Sequence, residues 1–192
     1  MLDTPVNLDL PYKGGRDYLH GTDLFNAMAK LGLFSESFGI RFYKPIHHPV
    51  QVESFSSMKD KDQFSAVAYA PARNPTVLWG VRELPDQLVT RRIPYPEDEA
   101  IAGAVVLTET ATHTGPNSYT FIERLIALNK KMLQTRHPAV AKWLFSGIDL
   151  NRDCAKAREI QVGAAGGLGV KLVKSAIRVD GEPVGTLYFS GV

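Results

Sequence analysis

Twice along this 192-residue chain, apolar residues fall at the spacing of one helical face, and each time several segments of strand character follow. In the first stretch Leu24, Phe25, Met28 and Leu31 share a face, with Thr22 or Gly21 as the expected N-cap and Gly32 as the stop. In the second, Phe121, Leu125, Leu128 and Met132 form an apolar stripe that Pro138 ends or interrupts. Thr120 with Glu123 has the form of a capping box there, with Asn117 and Ser118 as alternative caps. A helix with one apolar face has to bury it against a second layer, and here the remaining material is strand, so the expected class is α+β.

The strands read as follows. Residues 6–12 alternate weakly, and Lys13-Gly14-Gly15 turns the chain. Residues 38–53 read as one long strand bent at Pro45 and Pro49, and residues 64–70 and 76–82 as two strands joined by a turn over 71–75. The proline- and charge-rich stretch 84–99 is the clearest internal connector. Strand character resumes at 101–107 and 108–114, then at 142–150, 159–162 and 166–178. Asp180-Gly181, flanked by Ala176, Ile177 and Val179 on one side and Val184, Leu187 and Phe189 on the other, is a strong hairpin signal. The glycine-rich run 163–169 lacks the Lys-Ser/Thr ending of a phosphate loop and reads as a bulged strand or a turn. Each half thus reads strand, helix, several strands. The expectation is one compact unit over 1–192, with 1–100 and 101–192 as candidate pseudo-repeats that share an order of elements and little residue identity.

Composition narrows the function classes. With 44% hydrophobic and 22% charged residues the chain can bury a sizeable core. No segment approaches the roughly 18 uninterrupted apolar residues of a membrane span, and the first ten residues have no signal-peptide pattern, so a cytoplasmic location is expected. A single cysteine, Cys154, excludes an internal disulfide framework and a Cys-cluster zinc site. The formal charge of +2 is too small to point to nucleic acid. No metal and no cofactor are expected.

The chemistry concentrates at 16–28, where a polar turn containing His20 runs straight into the first helix. The first-turn N–H groups of a helix have no intrahelical partner, so Gly21 and Thr22 bring donors and partial positive charge toward any carbonyl or anion placed there. His20 with Asp17 or Asp23 reads as a base oriented by a carboxylate, or else as a histidine that caps the helix. His113, before Gly115-Pro116-Asn117, holds the matching place ahead of the second helix, and with Asn117 it is a candidate substrate-binding residue. His47 and His48 are adjacent in an extended stretch, point to opposite faces and read as a structural or exposed pair. Arg73, Arg91 and Arg92 are candidate phosphate contacts or solvated surface charge.

The stretch His20-Gly21-Thr22-Asp23-Leu24-Phe25 resembles the His-Gly-Gly opening of the central helix in hot-dog acyl-CoA thioesterases. The bend at Lys44-Pro45-Ile46 and the closing segment Gly181 to Leu187 are similar to strands of the same family. The resemblance implies a hot-dog fold, in one reading tandem: long helices packed on a curved antiparallel sheet. It implies an acyl thioester, on coenzyme A or a carrier protein, as ligand. The implied chemistry is of thioesterase or dehydratase type, with His20, Asp23 and Asp17 catalytic and Gly21, Thr22, His113 and Asn117 binding substrate. A homodimer is favoured over a monomer, which a tandem chain also allows. Two departures from the pattern, Ala29 where many such thioesterases carry a helical aspartate and Thr22 in place of the second glycine, keep a non-catalytic binding or assembly module open as the alternative.

Overall fold

A computed structural model describes every residue except Met1, Asp3, Ser35, Glu36, residues 72–75, Pro116 and Asn117. The chain divides into two compact units, Met1–Tyr95 and Pro96–Val192.

The first unit runs β1 (Val6–Leu8), β2 (Tyr12–Lys13), α1 (Gly21–Lys30), β3 (Phe38–Phe42), β4 (Val50–Phe55), a 3₁₀ helix (Met58–Gln63), β5 (Ala66–Ala70), β6 (Val77–Glu83) and β7 (Arg92–Ile93). Five strands pair antiparallel in the order β1-β4-β6-β5-β3, and β2 and β7 form a separate parallel ladder. With every neighbouring pair antiparallel, β1 and β3 stand at the two ends of the row and run in the same direction. The chain therefore has to cross the row between them, roughly 19 Å at the ordinary strand spacing. The 10-residue α1, about 15 Å long, lies within that crossing segment. It buries Thr22, Leu24, Phe25 and Met28, and the Phe25 ring meets Phe34 and Phe38 edge-on at 4.7 and 5.3 Å. Phe38 opens β3, so this aromatic trio ties the helix to the strand it precedes. In the sheet, Val50 and Val52 are fully buried while Gln51 and Glu53 are partly exposed, the period-2 pattern of a strand with one face inward.

Two expectations are corrected here. Residues 38–53 are not one bent strand: Pro45 and Pro49 have no N–H to give a ladder, residues 43–49 leave the sheet, and β5 and β6 come between β3 and β4. The stretch 84–99 is more than a connector, because Arg92–Ile93 returns to pair with Tyr12–Lys13.

The second unit runs a 3₁₀ helix (Glu99–Ile101), β8 (Val105–Val106), β9 (Thr110–Thr114), α2 (Phe121–Arg136), β10 (Trp143–Leu150), β11 (Glu159–Gly167), a 3₁₀ turn (Gly169–Lys171), β12 (Val173–Val179) and β13 (Glu182–Gly191). All its strands pair antiparallel, in the order β10-β13-β12-β11-β9-β8. Here too the helix joins two strands of the same direction, β9 and β10, from opposite sides of the row. Thr120 is the N-cap of α2 and forms the full capping box with Glu123, settling the choice among the three candidate caps. Asp180 and Gly181 both have positive φ, 51° and 84°, as a two-residue hairpin of the I′ type requires. The expected strand at 101–107 is shortened to β8, because the chain first makes a 3₁₀ turn and then reverses at Gly103, whose φ is 81°. The glycine-rich run is a bulged strand: β11 continues to Gly167, with a register shift between Ala164 and Gly167.

Each unit thus lays one helix over an antiparallel sheet, the α+β arrangement expected, but the inner strands are ordered differently. After the helix, the second unit is a meander from β11 through β12 to β13, forced by a short turn and a two-residue hairpin. In the first unit residues 56–65 form a longer link that carries the chain past one strand position, and β6 then fills the gap between β4 and β5.

Candidate functional site

The entry to α1 is set by pairing upstream of it. Leu19 bridges Tyr12 and its N–H donates to the Ile46 carbonyl at 2.7 Å, which holds the chain extended up to His20 (φ −77°, ψ 129°). His20 is therefore the N-cap, in place of the expected Thr22 or Gly21, and Gly21 is the first helical residue. The His20 carbonyl accepts the Asp23 N–H at 2.9 Å, while its side chain does no capping. Instead the buried imidazole turns to Thr22, with Nδ1 2.6 Å from Oγ1.

A residue the sequence reading missed completes the cluster. Lys13, at the end of β2, is only 2% exposed. Its Nζ lies 2.7 Å from Asp23 Oδ1 and 3.4 Å from Thr22 Oγ1. It also sits 4.5 Å from the centre of the Tyr95 ring, whose plane is tilted against His20 with centroids 5.1 Å apart. Burying an ammonium is costly unless it is paired. Asp23 supplies the counter-charge from the first turn of α1, where an anion is also favoured by the helix dipole, and the Tyr95 face adds a cation–π contact. A lysine before Gly-Gly reads in sequence as a solvated turn residue, and Tyr95 reads as part of a linker; neither has a local signal.

Two braces hold this cluster. On one side the β2–β7 ladder is extended by Tyr12 N–H to Arg91 O (3.0 Å) and Gly14 N–H to Ile93 O (2.9 Å). Arg92 Nη1 donates to the carbonyls of both Gly14 and Arg16 at 2.6 Å. On the other side lies the 43–49 bend. His47 Nδ1 is 2.8 Å from the Asp17 carbonyl, which can only accept, so this nitrogen carries the proton. The His47 N–H donates to Glu83 Oε2 at 2.8 Å. Burial pushes the Glu83 carboxyl up, but that N–H, the Ser65 hydroxyl and Lys44 together bring it below the usual carboxylate range.

The proposed residues therefore separate into groups. His20, Gly21, Thr22 and Asp23 come together at the start of α1. Asp17 is exposed and uses its backbone, toward His47, rather than its carboxylate toward His20. His113 lies within β9 of the other unit, in the strand and not at the helix start. It is 3% exposed and its Nδ1 has no hydrogen-bond partner among the described residues. Burial first and the Arg124 guanidinium second hold its pKa below the usual histidine value, against a hydrogen bond to the Ala102 carbonyl. Arg124 bonds the carbonyls of Ala157 at 2.9 Å and Gly115 at 3.4 Å. Asn117 and Arg73 lie outside the described residues. Arg91 pairs with Asp9 and Arg92 is spent on the turn carbonyls. Cys154 is buried, and burial pushes its thiol up. Among the described residues no three His, Cys, Asp or Glu side chains gather as metal ligands would, and no helix is long and apolar enough to cross a membrane.

Chemically, the start of α1 offers an imidazole and first-turn N–H groups, with the Lys13–Asp23 pair beside them. That combination suits a carbonyl whose oxygen gains negative charge.

No family model matches the chain, and no curated protein matches it. Solved structures do. The pyran synthase domain from module nine of the sorangicin pathway is 7% identical, with 98% of this chain and 92% of that one covered and a TM-score of 0.50. The 12:0-ACP thioesterase from Umbellularia californica is 9% identical over 98% and 96% of the two chains, with a TM-score of 0.49. The dehydratase domain of PpsC from Mycobacterium tuberculosis, solved with C12:1-CoA, is 8% identical over 91% and 85%, with a TM-score of 0.47. At such identities the likeness to the pyran synthase domain is one of fold, and the fold is the hot-dog fold.

Proposed function

We propose that this chain binds an acyl thioester, on coenzyme A or a carrier protein, and processes it by thioesterase- or dehydratase-like chemistry at the start of α1. The observation that carries the reading is the cluster of buried Lys13, His20 and Thr22 with half-buried Asp23 at a helix N-terminus. A thioester carbonyl at Gly21 and Thr22 would meet first-turn N–H groups and the His20 ring, with Asp23 and Lys13 holding both in place.

In this reading the two units are related hot-dog halves. One or two strands of the sheet, a helix and four further strands of the sheet in each support it, and the first unit carries the working site. Asp17 serves from outside the cluster, and His113 with Asn117 is the matching substrate-binding position within the second unit. The protein acts in the cytoplasm as a homodimer, which light scattering would test.

The purified protein, incubated with short, medium and long acyl-CoA thioesters, is expected to release thiol on at least one of them. His20→Ala is expected to lower that release by about a hundredfold, as loss of a carbonyl-polarising group does. Full turnover by His20→Ala on every accepted thioester would sink the site.

A second reading has its own support. Ala29, where many hot-dog thioesterases carry an acid, lies on the exposed side of α1. A chain that binds the thioester without cleaving it would raise its melting temperature with acyl-CoA while releasing no thiol.

A further inference from the structure

Thr22 settles which nitrogen of His20 carries the proton. Its side chain is fully buried, and among the described residues Oγ1 has two polar neighbours, Lys13 Nζ at 3.4 Å and His20 Nδ1 at 2.6 Å. Lys13 Nζ forms an ion pair with Asp23 Oδ1 at 2.7 Å, and an ammonium is a donor only. Oγ1 must therefore accept on the Lys13 side. Its single proton has one acceptor left within reach, the Nδ1 lone pair. The opposite arrangement, Nδ1–H donating to Oγ1, would leave the buried hydroxyl proton with no acceptor among the described residues, at a desolvation cost.

We propose that Lys13 and Thr22 form a relay that locks His20 as the neutral imidazole with its proton on Nε2. Whatever oxygen Nε2 faces, it meets as a donor. This rests on the acyl-thioester reading for its chemical meaning, and within that reading it decides between the two roles open to His20. The imidazole donates a hydrogen bond to the thioester carbonyl oxygen and is not the base that takes a proton from water. In that role no bond to His20 forms or breaks. The N–H lowers the energy of the negative charge that grows on the oxygen as a nucleophile adds to the carbonyl. Lys13 and Thr22 are positioning residues: they act on substrate through the tautomer of His20. The relay also explains why a hydroxyl stands where a glycine would otherwise suffice, since glycine at 22 would leave Nδ1 to choose its own state.

The test is ring-nitrogen NMR on the full chain labelled with ¹⁵N-histidine, the His20 signals being those lost in His20→Gln. The expected pattern in the native protein is an unprotonated Nδ1 and a protonated Nε2. A protonated Nδ1, or an imidazolium with both nitrogens protonated near neutral pH, overturns the relay. Thr22→Ser keeps the hydroxyl and is expected to keep the pattern. Thr22→Val, which keeps the shape and removes the proton, is expected to shift His20 to a mixture of tautomers and to lower kcat on an accepted acyl-CoA at least tenfold. An unchanged His20 pattern in Thr22→Val overturns the relay as well. The two proposals fail separately. Nε2–H in a protein that neither binds nor cleaves any acyl-CoA leaves the relay standing and removes the thioester, whereas cleavage by a protein with Nδ1–H does the reverse.

Discussion

Lys13 and His113 are both almost fully buried, yet they respond to different experiments because one faces a counter-charge and the other a like charge. Lys13 has Asp23 at 2.7 Å, so Lys13→Ala deprives a mostly buried carboxylate of its cation and is expected to cost about 3 kcal/mol. The double variant Lys13→Met with Asp23→Leu removes both charges and should recover most of that loss in urea melts. A single variant within about 0.5 kcal/mol of the native protein would mean that the pair is idle. His113 answers to pH. Its folded-state pKa is held below the unfolded value, chiefly by burial and next by Arg124, so as pH falls below about 6.5 the unfolded chain takes up the proton first. Stability is complete above that pH and is lost as pH falls toward the folded-state pKa. The melting temperature of the native protein is expected to drop more between about pH 7 and about pH 5 than that of His113→Gln. Equal slopes would show that His113 is not responsible. Residue identity alone did not separate these cases: His20 was legible as a titratable group at a helix start, but Lys13 became visible only when β7 closed over β2.

At the scale of elements, much was readable because local rules govern caps and turns. The Thr120–Glu123 box, the helical stripe from Phe121 to Met132 and the Asp180-Gly181 hairpin all depend on residues a few positions apart. Thr120→Ala is expected to cost about 1 kcal/mol in denaturant melts, the usual worth of such a cap. What could not be read is where one strand must tolerate another. Gly185 pairs with Leu150 on β10 and Ile177 on β12, and a Cβ there would lie 1.9 Å from the Asp149 carbonyl oxygen. That obstacle is backbone and cannot step aside as a side chain would. Gly185→Ala is accordingly expected to cost at least about 2 kcal/mol, and a chemical melt indistinguishable from native would refute the close approach. Gly39 shows the same constraint in another form: the ring of its cross-strand partner Tyr69 occupies the space a Cβ would need, 2.3 Å away. In sequence both positions are merely glycines in strands.

At the scale of the whole molecule, Cys154 offers a reporter. It is 5% exposed, and burial keeps its thiol protonated, so a thiol reagent should label it slowly under native conditions and in step with unfolding on heating. Rapid labelling of the folded protein would contradict its burial. By itself the sequence determined the class of layers, the two helices, a candidate capping box at the head of the second and the histidine turn at the head of the first. Each of these is written in residues within a turn or two of one another, and periodicity and capping chemistry act at that range. Only the tertiary structure decided that 38–53 is two strands with two others between them, that the inner strands of the two units run in different orders, and that Lys13 and Tyr95 join His20. Those outcomes depend on which backbone groups find partners across long loops, and on a buried charge finding its counter-charge, and neither depends on sequence neighbours.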